Sequence, residues 1–382
     1  MFKSIFANEE VNTGRQRELD RAKCVLILCL AIVHFYIEAT DPEIFDVIGS
    51  VPYFWDSIVG GPFGAPVFIF AMGIGLQYSR SRDPKFLFKR GLSIGLVAIF
   101  LNVFRYLVPS LVGYAVTGNY DKYITKLPYR FFGNDILQFA CLAMILMSLF
   151  LYLKLNPYIV FVIALVMNMA SMLVNNIDFG NMPVNIIMGH FIGVEDPQGL
   201  VNSDFPVVMW FLMYAAGSLF GHLLRRVKNK NKLYLIISPI SAVIVIPVLY
   251  LECAKEFGMM GGSGWNVFYH MNTLEMLVCI CACLLVLGVY QLMDPIIPEK
   301  VTAIVEFISR EITNVYVIQW ILVWWIANVF MYICMGQKYL GWVMCLIIGT
   351  GISLASVLIA YIWKNKITKS LKGTSDEERE KQ

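Results

Sequence analysis

The sequence has few charged residues: Asp, Glu, Lys and Arg make up only 15% of its 382 residues, whereas 58% are hydrophobic. An ordinary soluble domain is about 25% charged and about 45–50% apolar. The composition therefore excludes a soluble globular protein, a disordered chain and a nucleic-acid-binding protein. The net charge of +3 says little by itself, because in a membrane protein the position of each Lys and Arg matters more than the total. The sequence predicts an integral membrane protein that lies in a lipid bilayer.

Several motifs are also missing. The chain has neither a G-x-S-x-G nucleophile elbow nor a P-loop, which argues against a serine hydrolase and an ATP-driven pump. Residues 1–22 are polar and have no A-x-A cleavage site, so the first apolar run is expected to be retained. Cys279, Cys281 and Cys283 recur at a spacing of two, which points them about 200° apart on a helix, so no metal site is expected there.

Ten apolar runs are each close to the roughly 20 residues that a helix needs to cross a bilayer. The runs are 23–40, 63–79, 86–108, 135–153, 157–175, 205–224, 233–251, 272–292, 309–333 and 340–363. A transmembrane β-barrel would show alternating segments of about ten residues, whereas these runs are apolar on every side. The predicted fold is an all-α, polytopic membrane helical bundle with about ten transmembrane helices.

The positions of the Lys and Arg residues predict the orientation of the bundle. With a cytoplasmic N-terminus, the inside segments hold 24 of the 30 Lys and Arg residues and the outside loops hold 5. This asymmetry fits the positive-inside rule and places both termini in the cytoplasm. We expect a cytoplasmic N-terminal segment (1–22), a transmembrane domain (23–363) and a cytoplasmic C-terminal tail (364–382), in a multi-pass protein of the cell membrane.

The first apolar run carries an unusual stripe of ionisable residues, and such residues are costly inside a bilayer. Lys23 and His34 are eleven residues apart, which on a helix gives about 16 Å of rise and places both on one face. Glu38 follows His34 by one turn on that face. Lys23 is thus a candidate for holding an anionic group at the cytoplasmic mouth, and His34 a candidate general base whose ring Glu38 orients. The competing interpretation is a structural histidine that binds a neighbouring helix.

The same residues resemble the opening motif of the acyltransferase-3 branch of the transmembrane acyltransferase superfamily. That motif is Asp-x-x-Arg followed by ten residues and His, and here Asp20, Lys23 and His34 have this spacing, with Lys in place of Arg. Lys holds a phosphate as a point charge and not in a bidentate fork. The stretches 60–73 and 134–138 are similar to those of the heparan-α-glucosaminide N-acetyltransferase-like branch, and the similarity covers about the first 140 residues.

This resemblance implies an enzyme that moves an acyl group, usually acetyl, from cytoplasmic acyl-CoA to a hydroxyl or amine of a carbohydrate-like acceptor at the outer face. Acyl-CoA (acetyl-CoA) is then the donor substrate, and no metal is expected. Basic residues that follow the second run suit the phosphates of CoA, although ordinary positive-inside charge explains them about as well. The predicted donor-binding residues are Lys23, Arg80, Arg82, Lys89 and Arg90.

Polar residues near the outer ends of the runs are candidates for binding the acceptor. They are Asp56, Arg105, Asp135 and His270. Arg105 lies within an apolar run and therefore needs a partner or a cavity; Asp135 and Glu38 are the candidate partners. A structural Arg–carboxylate pair explains Arg105 equally well.

A second function from a different class is a secondary transporter or a lipid-linked-sugar flippase. In that case His34, Glu38 and Arg105 would relay a proton or a substrate, and inverted repeats would be expected; none is evident between residues 1–190 and 191–382. Binding of acyl-CoA would separate the two functions. The sequence leaves several points open. They are the identity of the acceptor, the choice between O- and N-acylation, the length of the acyl chain, the choice between direct transfer and an acyl-enzyme, and the formation of a homodimer.

Overall fold

The computed structural model describes residues 5–41, 43, 47, 50–196, 199–201, 203–255 and 269–380. The regular elements within these residues are helices, joined by isolated bridges and without a sheet. Residues 1–4 and 381–382 of the predicted terminal segments lie outside the described residues. The predicted all-α fold is confirmed.

The described residues form twelve principal helices. They are α1 (Arg17–Ala39), α2 (Ala65–Gln77), α3 (Pro84–Asn102), α4 (Val108–Thr117), α5 (Ile136–Tyr152), α6 (Pro157–Ser171), α7 (Val207–Leu224), α8 (Lys230–Lys255), α9 (Thr273–Leu292), α10 (Glu299–Arg310), α11 (Ile312–Trp324) and α12 (Trp342–Glu380). Shorter segments are helical at Val51–Tyr53, Leu127–Phe131 and Met182–Met188, 3₁₀ at Asp294–Ile296, and π-helical at Phe54–Gly60, Val103–Leu107, Asp121–Thr125 and Trp325–Cys334.

Eight helical stretches within the described residues are long and apolar enough to cross a membrane. They are Arg17–Ala39, Val51–Gln77, Pro84–Thr117, Val207–Leu224, Lys230–Leu251, Thr273–Leu292, Ile312–Cys334 and Trp342–Lys366. Two shorter apolar helices, α5 and α6, stand at the positions of the fourth and fifth predicted runs. Each of the ten predicted runs thus coincides with an apolar helix, and the bundle is polytopic as predicted.

Helix α1 lies in the middle of the bundle. It contacts α2, α9, α10, α11 and α12 as well as the π-helical segment Phe54–Gly60. The last helix crosses it closely: the Ser353 hydroxyl donates to the Leu28 carbonyl oxygen at 2.9 Å, and the Tyr36 hydroxyl donates to the Trp342 carbonyl oxygen at 2.9 Å. Because α1 is surrounded by helices, the ionisable stripe that it carries faces protein.

The segments predicted to be cytoplasmic meet at one end of the bundle. Phe6 pairs with Val227, Arg17 lies 3.3 Å from a Glu299 carboxylate oxygen, and Lys364 lies 2.9 Å from one of Glu311. At the opposite end the predicted outer loops join through bridges such as Asn134–Ser203 and Ile177–Val194. This segregation fits an alternating topology. The side of the membrane on which each end lies stays a prediction.

Glycines let α2 and α7 cross with their backbones in contact. A Cβ atom added at Gly73 would lie 2.2 Å from the Tyr214 carbonyl oxygen, and one at Gly217 would lie 2.0 Å from the Phe70 carbonyl oxygen. The Gln77 side chain also donates to the Ser218 hydroxyl at 2.9 Å. Small residues at such crossings let membrane helices approach closely, so this pair is a rigid part of the bundle.

We expect Gly73→Ala to lower the stability of the protein by about 1–3 kcal/mol, because the added methyl group meets backbone that cannot move aside cheaply. Gly75→Ala is the matched control, since a Cβ there meets nothing within 4 Å and Ala favours the helix. The measurement is the thermal midpoint of the detergent-solubilised protein by size-exclusion chromatography after heating. Equal midpoints for the two variants would contradict the close crossing.

Candidate functional site

His34 of α1 packs against two aromatic side chains of α11. Its imidazole is stacked on the Trp320 indole, with ring centroids 3.8 Å apart and planes 23° from parallel. Tyr316 stands edge-on to the imidazole at 6.2 Å. The His34 Nδ1 atom is buried and has no hydrogen-bond partner among the described residues. Since a buried polar atom normally has a partner, this ring is poised to bind one.

Arg105 contacts the same indole. The residue lies in the π-helical segment Val103–Leu107, its side chain is 7% exposed, and its guanidinium carbon is 3.4 Å from the Trp320 ring centroid. One terminal nitrogen, Nη1, donates to Asp135 Oδ2 at 2.7 Å. The Nε atom is buried without a hydrogen-bond partner within the described part of the chain. A cation over an indole is attracted to the face of the ring, so Arg105 is held from two sides.

Asp135 can hold the Arg105 side chain in place because other groups hold Asp135. It is the N-cap of α5, where its Oδ1 accepts from the Ile136 backbone N–H at 2.6 Å. The Tyr316 hydroxyl donates to the same oxygen at 3.3 Å. Of the two candidate partners that the sequence offers for Arg105, the structure selects Asp135.

The hydrogen bond that Glu38 makes within the described residues goes to another side chain, and His34 Nδ1 makes none with it. The Glu38 Oε2 atom accepts a hydrogen bond from the Asn328 side-chain amide at 3.1 Å. Asn328 lies in the π-helical segment Trp325–Cys334, whose position beside α1 is not evident from the sequence. The stacking on Trp320 positions the imidazole, and Glu38 lies near enough to Arg105 to interact with its charge. The predicted role of Glu38 in orienting the imidazole stays a prediction.

Three π-helical segments border this cluster. Val103–Leu107 carries Arg105, Trp325–Cys334 carries Asn328, and Phe54–Gly60 packs on α1 so closely that a Cβ at Gly60 would lie 2.9 Å from Val33. π-Helical turns are rare and occur frequently at functional sites. Their convergence around His34 supports a functional role for this part of the bundle.

Asp56 lies in the segment Phe54–Gly60, toward the end of the bundle that is predicted to be the outer one. Together with Asp204 and Asp135 it lies near the Tyr269 phenol, and burial and these carboxylates raise the pKa of Tyr269. Two of the predicted acceptor-binding residues, Asp56 and Asp135, thus belong to one acidic region.

His270 is held differently from His34. The ring N–H at Nε2 donates to the Ser203 carbonyl oxygen at 2.9 Å, and Nδ1 lies 3.1 Å from the Asn176 side-chain amide. Both nitrogens therefore join outer loops to one another. This geometry suits a structural residue better than an acceptor-side base.

The end of α1 that is predicted to be cytoplasmic carries the predicted donor-binding cation. Lys23 lies 3.6 Å from Asp20 Oδ1, and the same carboxylate accepts from Arg15 Nε and from the Ser309 hydroxyl, both at 2.5 Å. Arg90 lies near enough to Lys23 for their charges to interact. A second basic residue from the 80–90 segment thus approaches the end of α1.

The other predicted donor-binding residues are more dispersed. Arg80, Arg82 and Lys89 are exposed, and Arg82 lies 3.9 Å from Glu10, which also pairs with Arg225. The Arg225 guanidinium lowers the pKa of the Glu10 carboxyl. Among the described residues, no group of three or more His, Cys, Asp or Glu side chains could hold a metal ion.

The sequence analysis missed the aromatic and amide residues that position the site, namely Tyr316, Trp320 and Asn328. A signal for the first two is present, because Tyr316, Trp320 and Trp324 follow one another at intervals of four and so share one helix face. Asn328 follows Trp324 at the same interval, but nothing in the sequence indicates that it contacts Glu38.

A bundle of apolar helices with an ionisable cluster facing its interior defines a multi-pass membrane protein with a buried polar site. The chain belongs to the acyltransferase-3 family, since the model of that family, described as an acyltransferase domain, matches residues 16–362. The match extends well beyond the first 140 residues that carry the resemblance. No curated protein matches this chain. The protein is therefore a membrane acyltransferase.

The pH dependence of stability should reflect His270. Burial lowers the pKa of His270 below its ordinary value near 6.5. The unfolded state therefore binds the proton more readily than the folded state does. The stability that His270 contributes above about pH 6.5 is lost as the pH falls below that value. We expect the thermal midpoint to fall between pH 7.5 and 5.5. His270→Gln should be less stable at pH 7.5 and should lose less on acidification. An unchanged pH slope in the variant would refute this role.

Proposed function

We propose that the protein transfers an acyl group, and specifically acetyl, from cytoplasmic acyl-CoA to an acceptor outside the cytoplasm. The acceptor is a hydroxyl or amine of a carbohydrate-like molecule at the cell membrane. His34 acts as the general base. The observation that carries this proposal is the buried Nδ1 of His34, which has no hydrogen-bond partner in the described part of the chain, in a member of an acyltransferase family. A base needs a free nitrogen within reach of the proton that it removes.

The donor is proposed to enter at the cytoplasmic end of α1. Lys23 and Arg90 lie close enough there for their charges to interact, and with Arg80, Arg82 and Lys89 they would attract the phosphates of CoA. Lys23 and His34 are separated by about 16 Å along a helix, which is of the order of the length of an extended pantetheine arm. The thioester would then lie beside His34.

In the reaction, His34 removes the proton from the acceptor hydroxyl or amine as its oxygen or nitrogen attacks the thioester carbonyl carbon. The tetrahedral intermediate collapses, the carbon–sulfur bond breaks, and the CoA thiolate takes the proton back from the imidazolium. An ester or amide and free CoA result. An acyl-histidine intermediate would use the same ring, and trapping of an acylated enzyme by acid quench separates the two routes.

The acidic region at the outer end is proposed to bind the acceptor. The carboxylates of Asp56 and Asp135 can accept hydrogen bonds from sugar hydroxyls, and Tyr269 lies beside them. The opposite placement of the two groups of residues supports transfer between the faces of the membrane.

The transporter or flippase that the sequence also allows is disfavoured by the family to which the chain belongs. Binding of acetyl-CoA to the purified protein tests this choice, because a sugar flippase has no reason to recognise it.

We expect His34→Ala to reduce CoA release from acetyl-CoA by the purified protein about 10²–10⁴-fold, which is the usual contribution of a general base. His222→Ala is the matched control, since His222 lies at the cytoplasmic end of α7 and should leave the rate unchanged. Activity of His34→Ala within a few-fold of wild type would end the assignment of the base.

We expect Lys23→Ala to raise the KM for acetyl-CoA about 10–100-fold with little change in kcat, because a hydrogen bond to a charged group contributes about 1.5–3 kcal/mol. Lys232→Ala removes an exposed cation near the same end and serves as the control. Steady-state kinetics at constant ionic strength provide both constants. Equal increases in the KM for acetyl-CoA in the two variants would indicate that Lys23 acts only through the overall charge of the protein.

A further inference from the structure

Two buried polar atoms that have no hydrogen-bond partner among the described residues flank the Trp320 indole, and their chemistry is complementary. His34 Nδ1 can accept a proton, whereas Arg105 Nε can only donate a hydrogen bond. We propose that Arg105 is a catalytic residue whose Nε–H donates to the thioester carbonyl oxygen and stabilises the oxyanion of the tetrahedral intermediate. This inference rests on the proposed function and assigns to Arg105 a role in the reaction beyond binding the acceptor.

The positions of His34 and Arg105 on the Trp320 ring are compatible with one group acting as base and the other stabilising the oxyanion. The imidazole centroid and the guanidinium carbon lie 3.8 Å and 3.4 Å from the ring of Trp320, so the two groups stack on opposite faces of the indole and are at most about 7 Å apart. An acceptor oxygen hydrogen-bonded to His34 and a carbonyl oxygen hydrogen-bonded to Arg105 each need about 2.8–3.0 Å. The attacking and attacked atoms stand about 3–3.5 Å apart before reaction. Because these lengths together exceed that separation, the reacting atoms would lie at the edge of the indole and connect the two groups around it.

The guanidinium is preorganised for this role. Asp135 binds only Nη1 and leaves the Nε edge free, while the Ile136 N–H and the Tyr316 hydroxyl hold Asp135 in place. The indole closes one face of the guanidinium. Donors that are fixed before charge develops do not have to reorient during the reaction, which is why such groups contribute strongly. Asp135 and Tyr316 are positioning residues in this arrangement.

During the reaction the carbonyl π electrons move onto oxygen as the acceptor bonds to carbon, and the negative charge forms at the Nε–H of Arg105. The charge returns to the carbonyl bond when the CoA thiolate leaves. Arg105 donates a hydrogen bond throughout and neither gains nor loses a proton, whereas the proton passes from the acceptor to His34 and then to the thiolate.

The direct test is isotope-edited infrared spectroscopy of acetyl-CoA, labelled with ¹³C at the thioester carbonyl and bound to the full-length protein in detergent. Donation from Arg105 should shift the carbonyl stretch of the bound thioester to lower frequency than in free acetyl-CoA. Arg105→Gln should abolish this shift while acetyl-CoA still binds. Arg130→Gln, which removes a neighbouring arginine 5.3 Å from the Trp324 ring, should retain it.

The rate of CoA release gives the second measurement. We expect Arg105→Gln to lower kcat about 10²–10³-fold with KM nearly unchanged, as for loss of one oxyanion donor. Asp135→Asn should have a smaller effect, and fluoroacetyl-CoA, whose oxyanion needs less stabilisation, should recover part of the loss in Arg105→Gln. If Arg105→Gln fails to fold, Arg105→Lys, which retains the charge without the Nε–H edge, provides the same comparison.

The outcomes separate this inference from the proposal on which it rests. Failure of the wild-type protein to bind acetyl-CoA would overturn both. Binding with a carbonyl shift that persists in Arg105→Gln, or with no shift in wild type, would overturn the role of Arg105 alone. A merely structural ion pair predicts equal loss of stability in Arg105→Gln and Asp135→Asn with no change in the carbonyl frequency of the protein that remains folded.

Discussion

The arrangement of the site depends on one buried cation, Arg105, and on the groups that compensate for its charge. An arginine in an apolar helix is costly unless it is paired. Here Asp135 and the Trp320 indole supply that compensation from two other helices, and the Tyr316 hydroxyl holds Asp135 in place. Because removing one partner of a buried pair leaves an uncompensated charge, these helices are tied together at this depth. His34 is then held against the indole that Arg105 also contacts.

The two ends of the bundle divide the remaining polar groups between them. Lys23 and Arg90 stand at the end where the N-terminal segment and the basic loops meet, whereas Asp56, Asp135 and Tyr269 gather at the other. His34 lies on α1, which packs among several helices, at a level between these two groups. This member of the acyltransferase-3 family therefore has a cationic region, a central imidazole and an acidic region, in that order along the bundle.

Much of the fold was predictable from the sequence, because long apolar runs and the distribution of Lys and Arg obey simple physical rules. The stripe of Lys23, His34 and Glu38 was also predictable, since helical spacing alone places these residues on one face. Their partners were not. Asn328 contacts Glu38, and Trp320 stacks on His34, because α1 meets segments far away in the chain, one of which, Trp325–Cys334, is π-helical. The interval of four places Tyr316 and Trp320 on one helix face, but no pattern in the sequence shows which other helix that face contacts.

One consequence follows from the placement of the cation and the imidazole on a single helix. A helix is a stiff rod, so the distance from Lys23 to His34 cannot adjust to the donor that binds. Under the proposed function, every donor with the same arm would bring its reactive carbon to the same depth, whatever is attached to it. Selection among acyl chains would then fall to the room available past the imidazole, and enlarging or filling that room would change which chain is transferred without changing how CoA is held.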